Sequence, residues 1–156
     1  MSTESSVKRQ DLRIALAVAQ FNPRITGLLE QGARAALVEA GLQPDHLVVF
    51  PVPGAWELPL ACRQLVETGR FDGVIALGAV VRGETAHFEF ISGECARGLM
   101  QLGLDTGVPV GFGVLTPENG EQAEERADPT RKDKGREAAM AVLDMIEFKA
   151  GLGHVE

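Results

Sequence analysis

Cysteine is scarce: Cys62 and Cys95 are the two in a chain of 156 residues. Each falls on the apolar face of a predicted helix, so buried free thiols are the ordinary reading. A metal site needs further ligands close by, and none accompanies either cysteine. Reduced thiols of this kind fit the cytoplasm. Long apolar runs are also missing; none approaches the roughly 20 residues that a membrane span needs. The leading stretch MSTESSVKRQD is polar and has no apolar core of a signal peptide. Basic charge is in deficit, with 15 Lys and Arg against 22 Asp and Glu and a net charge of −7. That argues against nucleic acid or an anionic membrane as the main partner, while a local basic pocket for one phosphate is still allowed. There are no repeats, low-complexity tracts or linkers. With 45% apolar and 24% charged residues, the composition is that of one soluble globular domain with a core of its own.

What is present is an alternation of short apolar runs with helical periodicity. Strands are predicted at Arg13 to Ala19, His46 to Val52, Gly73 to Ala79 and Pro109 to Leu115. Between them, apolar residues recur at helical spacing. Asn22-Pro23 reads as an N-cap with proline at the first helical position. Gly41 and Gly69 read as stops. A third helix is marked by Phe88, Ile91, Cys95, Leu99 and Leu102, a short one covers Glu118 to Ala127, and the last runs from Lys134 to Lys149. Strands that are continuous apolar runs belong in a parallel sheet covered on both faces. The fold class is therefore α/β: a three-layer α/β/α sandwich with a four-stranded, mainly parallel sheet, flavodoxin-like in outline. Residues 1–12 read as a flexible N-terminal arm, 13–150 as a single domain and 151–156 as a C-terminal tail.

In such sheets ligands bind beyond the carboxyl ends of the strands. The unusual residues gather there: Gln20-Phe21-Asn22 after the first strand, Pro53-Gly54-Ala55-Trp56-Glu57 after the second, Gly78 to His87 after the third, and Thr116 to Asn119 after the fourth. Each has an ordinary reading as well. Phe21 and Trp56, the lone tryptophan, can be packing residues. Glu57 suits the first turn of a helix through the macrodipole. Gly83 to Thr85 can be a plain turn, and His87 a half-exposed polar residue. His46 and His154 lack such neighbours and read as structural or solvated. The functional reading is sharper. Aromatic rings at loop tips offer a stacking face to a planar heterocycle, and Glu57 can accept bonds from hydroxyls. Gly83-Glu84-Thr85 at a helix entry can hold a phosphate, and His87 can move protons near neutral pH. No Walker motif is present.

Six segments, RIALAVAQFN, VPGAWELPLA, ALGAVVRGETAHFEF, VGFGVLTPEN, EQAEERA and DKGREAA, resemble in order and spacing those of the lumazine synthase family. The resemblance spans about Ile14 to Ile146. It implies a transferase of riboflavin biosynthesis that condenses 5-amino-6-(D-ribitylamino)uracil with 3,4-dihydroxy-2-butanone 4-phosphate, releasing phosphate and water, with no metal or cofactor. It implies that Phe21 stacks on the pyrimidine. Ala55, Trp56 and Glu57 hold the pyrimidine and ribityl chain, and the backbone of Ala79, Val80 and Val81 reads the uracil edge. Glu84 and Thr85 form the phosphate-side turn, and His87 transfers protons. It also implies a cytoplasmic homo-oligomer whose sites lie between subunits, the neighbour supplying Phe112 and the phosphate anchor Arg126. Lys134 matches a position near the phosphate.

The chain departs from the family pattern in places. Members often carry a small residue where Glu84 stands; a carboxylate beside a phosphate must point away, so Glu84 is expected to act through its backbone. The glycines that capsid-forming members carry between the last two helices are missing from ADPTRKD, and the N-terminal arm lacks their apolar strand. Both favour a homopentamer over a 60-mer of pentamers. Two other readings share the alternating pattern. A non-catalytic flavin- or lumazine-binding protein would use the aromatic loops but has no need of both His87 and Arg126. A phospho-receiver domain needs clustered aspartates at strand ends, and none is there.

Overall fold

The structure, a computed structural model, describes residues 7–153; residues 1–6 of the leading arm and 154–156, including His154, lie outside it. Four strands, β1 (Ile14–Ala19), β2 (Leu47–Val52), β3 (Gly73–Ala79) and β4 (Val110–Leu115), form one parallel sheet in the order β2-β1-β3-β4. The helices are α1 (Pro23–Glu39), α2 (Leu58–Glu67), α3 (His87–Thr106), α4 (Gly120–Ala127) and α5 (Lys134–Leu152). The expected three-layer α/β sandwich is the one observed.

Strand β1 shows why the strands do not alternate in hydropathy. Ile14, Leu16 and Val18 face one layer, where they pack with Leu29, Ala33 and Leu37 of α1 and Ala139, Val142 and Leu143 of α5. Ala15, Ala17 and Ala19 face the other, under Leu58 and Cys62 of α2 and Cys95 and Leu99 of α3. Both faces are dry, so both sets are apolar, and each large side chain buried this way stabilises the fold by roughly 1.5–3 kcal/mol. On β4 the face toward α5 is nearly bare. A Cβ on Gly111 would stand 2.9 Å from the Ala138 carbonyl oxygen and 2.8 Å from a Val142 methyl, so glycine is what lets α5 approach this edge.

The connections run in two directions. From β1 the chain crosses to β2 over the α1 face; from β3 it crosses to β4 over the α2–α3 face. Opposite directions on opposite faces are what a single crossover hand requires. The direction reverses between β1 and β3, and the carboxyl ends of those two strands part to leave a crevice.

Several local details differ from the sequence reading. Asn22 precedes α1, but its side chain does not cap the helix; it adopts a left-handed conformation (φ 64°) and donates from Nδ2 to the Ala79 carbonyl at 3.1 Å. Asn119 does cap α4, accepting from the Gln122 N–H at 2.9 Å, and this moves the helix start to Gly120. Residues 9–12, at the end of the leading arm, contact the body: Leu12 is buried, and Arg9 bonds the Glu147 carboxylate at 2.9 Å and the Ala40 carbonyl at 3.1 Å. Helix α5 runs on through Leu152, into the stretch read as a tail.

Cys62 and Cys95 are both fully buried in the α2–α3 layer. Burial pushes the Cys62 thiol up to about 12, with a further push from Cys95 nearby, and burial raises Cys95 to about 11. Native protein should therefore leave a thiol reagent unreacted at pH 8, and denaturant should release both thiols; fast reaction without denaturant would contradict this packing. The raised values also set a sign. Stability from these thiols is full below the ordinary thiol value of 9.0 and falls as pH rises toward 11 and 12, because the unfolded chain loses those protons first.

Candidate active site

Three loops build the site at the reversal between β1 and β3. After β1 the ladder with β2 continues for two more bonds, Gln20 N–H to the Val52 carbonyl at 2.7 Å and Phe21 N–H to the Pro53 carbonyl at 3.1 Å. The left-handed turn at Asn22 then diverts the chain into α1. Phe21 is left projecting outward, 74% exposed, an unusual state for an isolated phenyl ring.

After β2, Pro53 and Gly54 lead into a single tight turn, Ala55–Glu57, that opens α2. Ala55 is buried and anchors the turn, Trp56 is 58% exposed, and Glu57 is half-buried. Proline at the second position of α2 fits a helix start, where its missing N–H is not needed.

After β3 the ladder to the β4 side continues as well. The Val80 N–H donates to the Leu115 carbonyl at 2.9 Å, and the Arg82 N–H to the Pro117 carbonyl at 3.0 Å. Backbone groups of successive strand residues point to opposite neighbours. Val81 therefore turns its N–H and carbonyl the other way, toward the side where β1 has ended. A donor and an acceptor side by side on an extended backbone suit the edge of a planar heterocycle. The chain then passes through Gly83 and Glu84 to α3. The Thr85 hydroxyl accepts from the His87 N–H at 3.4 Å, and the positive end of the 20-residue helix faces this mouth.

These loops enclose an open groove of about 820 Å³, a size that suits small-molecule ligands. Phe21, Ala55, Trp56, Glu57, Ala79, Val80, Val81, Thr85 and His87 all line it. The lining is mostly apolar, with polar groups at a few points. Four residues named from the sequence do not line it. Glu84 is exposed beside the groove. Phe112 stands on β4 opposite Ala76, 48% exposed at the open edge of the sheet. Arg126 lies on α4, one guanidinium nitrogen bonded to the Gln122 carbonyl at 3.3 Å and 3.9 Å from the Glu125 carboxylate. Lys134 opens α5 and pairs with Glu137 at 2.8 Å. Between Arg126 and Lys134, Asp128 accepts both the N–H and the hydroxyl of Thr130 at 2.8 Å, which holds its carboxyl below the usual carboxylate value.

The groove also includes residues that sequence reasoning passed over. Asn22 stood out as a cap and as a strand-end residue but carried no role in the site; its bond to Ala79 makes it a brace between the first and third loops. Phe90 lines the groove and is 69% exposed. Its signal was there: it lies off the helical stripe of Phe88, Ile91 and Cys95, so its ring had no core to fill.

Residues 11–150 match the model of the family described as 6,7-dimethyl-8-ribityllumazine synthase. The chain belongs to that family. The 6,7-dimethyl-8-ribityllumazine synthase of Pectobacterium atrosepticum is 50% identical over 147 residues, covering 92% of this chain and 93% of that protein. The protein of the same name from Edwardsiella ictaluri is 50% identical over 135 residues, 86% of each chain. The matched residues 11–150 include all four strands and the loops that line the groove.

Proposed function

We propose that the chain is a transferase that forms 6,7-dimethyl-8-ribityllumazine, condensing 5-amino-6-(D-ribitylamino)uracil with 3,4-dihydroxy-2-butanone 4-phosphate in the penultimate step of riboflavin biosynthesis. The observation that carries the reading is the convergence of three loops with these chemistries on one groove, in a chain of this family. Phe21 stacks on the pyrimidine. The backbone from Ala79 to Val81 reads the uracil edge, and Ala55, Trp56 and Glu57 take the ribityl chain, Glu57 accepting from its hydroxyls. Gly83 to Thr85 and the start of α3 receive the phosphate, with Glu84 acting through its backbone. The pyrimidine amine attacks the ketone, the imine forms with loss of water, phosphate leaves, and ring closure releases a second water. Each step moves a proton, and His87 stands in the groove where the two substrates meet. Most of the acceleration comes from holding them together, with acid–base help from His87.

His87→Ala should accordingly lower kcat by about 10²-fold or less, the usual reach of one acid–base group, without unfolding the protein. A folded variant with unchanged turnover would remove the histidine from the mechanism.

The chain acts as a cytoplasmic homo-oligomer with its sites between subunits. Support comes from the position of Phe112 and Arg126 on the β4–α4 side, clear of their own groove. From there they are free to complete the groove of a neighbour. A pentamer is favoured over a 60-mer, since ADPTRKD has no glycine. Sedimentation would separate the two at once. No helix among the described residues is long and apolar enough to cross a membrane.

A further inference from the structure

We infer that Arg82 is a positioning residue: its side chain clamps the turn that carries Thr85 and His87 to the β4–α4 loop. The inference rests on the proposed role of that turn in receiving the phosphate and moving protons.

The turn has little else to hold it. Upstream of Arg82 the chain is still tied to the extension of β4. Downstream, α3 begins to bond at Ala86, whose carbonyl accepts from the Glu89 and Phe90 N–H groups. Between these points the one bond found among the described residues is local, from the His87 N–H to the Thr85 hydroxyl. At Gly83 a Cβ would meet nothing within 4 Å, so the turn stands clear of the body of the protein.

Arg82 supplies what the turn lacks. One guanidinium nitrogen donates to the Glu89 carboxylate at 3.2 Å, the other faces the Glu118 carboxylate at 3.6 Å, and the carbon between them lies 5.5 Å from the centre of the Phe88 ring. A single planar cation thus engages the first turn of α3 on one side and the β4–α4 loop on the other. The backbone N–H of the same residue bonds Pro117, next to Glu118. Arginine suits the task because its fixed fork can serve two acceptors while its face lies against a ring; a lysine ammonium offers no such plane. The arrangement also leaves Arg82 with its charge committed to two carboxylates, which separates it in role from a phosphate anchor.

The test uses the intact oligomer and the variants Arg82→Ala, Arg82→Lys and Glu118→Gln. The clamp predicts that Arg82→Ala raises the KM for the butanone phosphate by roughly threefold to tenfold, the scale of one or two exposed ion pairs, with the KM for the pyrimidine unchanged. Glu118→Gln should raise it in the same direction by less, Arg82→Lys should recover part of the loss, and the Arg82→Ala/Glu118→Gln pair should be no worse than Arg82→Ala alone. Amide exchange over residues 83–87 should quicken in Arg82→Ala and Glu118→Gln. If Glu118→Gln instead lowers that KM, Arg82 is itself a phosphate ligand and the clamp is wrong. Unmoved exchange and unmoved KM in Arg82→Ala would also overturn it. If the unaltered protein makes no product yet exchange quickens in the variants, the clamp stands and the proposed reaction falls.

Discussion

Arg126→Ala is expected to raise the apparent KM for the butanone phosphate by about 10²-fold, with little change in the KM for the pyrimidine. Bonds from a guanidinium to a phosphate are charge-assisted and each contributes about 1.5–3 kcal/mol, which converts to that factor. The side chain is available for the task. It uses one nitrogen on the Gln122 carbonyl at 3.3 Å and lies 3.9 Å from Glu125, a loose pair, so most of its donor fork is uncommitted. Arg126→Lys keeps the charge but loses the fork and should recover only part of the affinity. Because Arg126 stands off its own groove, the defect should also be shared between subunits. Oligomers assembled from His87→Ala and Arg126→Ala chains should regain activity, since some sites then combine an intact groove with an intact arginine. Equal KM effects on both substrates would remove the anchor role, and a mixture as inactive as its parents would place the arginine in its own subunit's site.

Gly135→Ala is expected to destabilise the fold by about 2–3 kcal/mol, lowering Tm by roughly 5–10 °C. Gly135 lies in the first turn of α5, where the helix presses against α1. A Cβ there would overlap the Leu29 carbonyl oxygen and stand 2.9 Å and 3.1 Å from the Leu29 carbonyl carbon and Cα. All three are backbone atoms on the buried face of α1, so none can swing away, and α5 must lift. The shift would reach Lys134 next to it and disturb its 2.8 Å pair with Glu137. Gly151, in the last turn of α5 with open space around it, is the control: alanine there should be neutral or slightly stabilising. An unchanged Tm in Gly135→Ala would show that the α1–α5 contact is looser than these distances state.

Much of this is legible in the sequence. The strand cores at Ile14–Ala19, Leu47–Val52, Gly73–Ala79 and Val110–Leu115 agree with the apolar runs; β1 and β3 are buried along their whole length, while the edge strands β2 and β4 leave Pro51 and Phe112 exposed. The groove was legible for a topological reason: strand ends in a parallel sheet meet on one edge, and the odd residues all sat at strand ends. What stayed hidden depends on contacts far apart in the chain. Asn22 read as a cap because its sequence neighbours say so; only the carbonyl of Ala79, 57 residues away, reveals it as a brace. Leu12 read as part of an arm because its burial depends on the body folding over it. The clamp at Arg82 needs Glu118, which no periodicity connects to it. Phe112 and Arg126 came into view through family resemblance alone, and nothing in their own patterning sets them apart from an edge-strand aromatic and a surface arginine.

The most direct test of the central claim is a product assay with the purified chain and both substrates. Formation of the fluorescent lumazine and release of phosphate would be followed together against the uncatalysed background. Saturable acceleration, with one phosphate released per lumazine formed, is the predicted result. A folded oligomer that leaves the background rate unchanged while binding lumazine or a flavin tightly would contradict it, and would make this groove a binding site on a synthase scaffold.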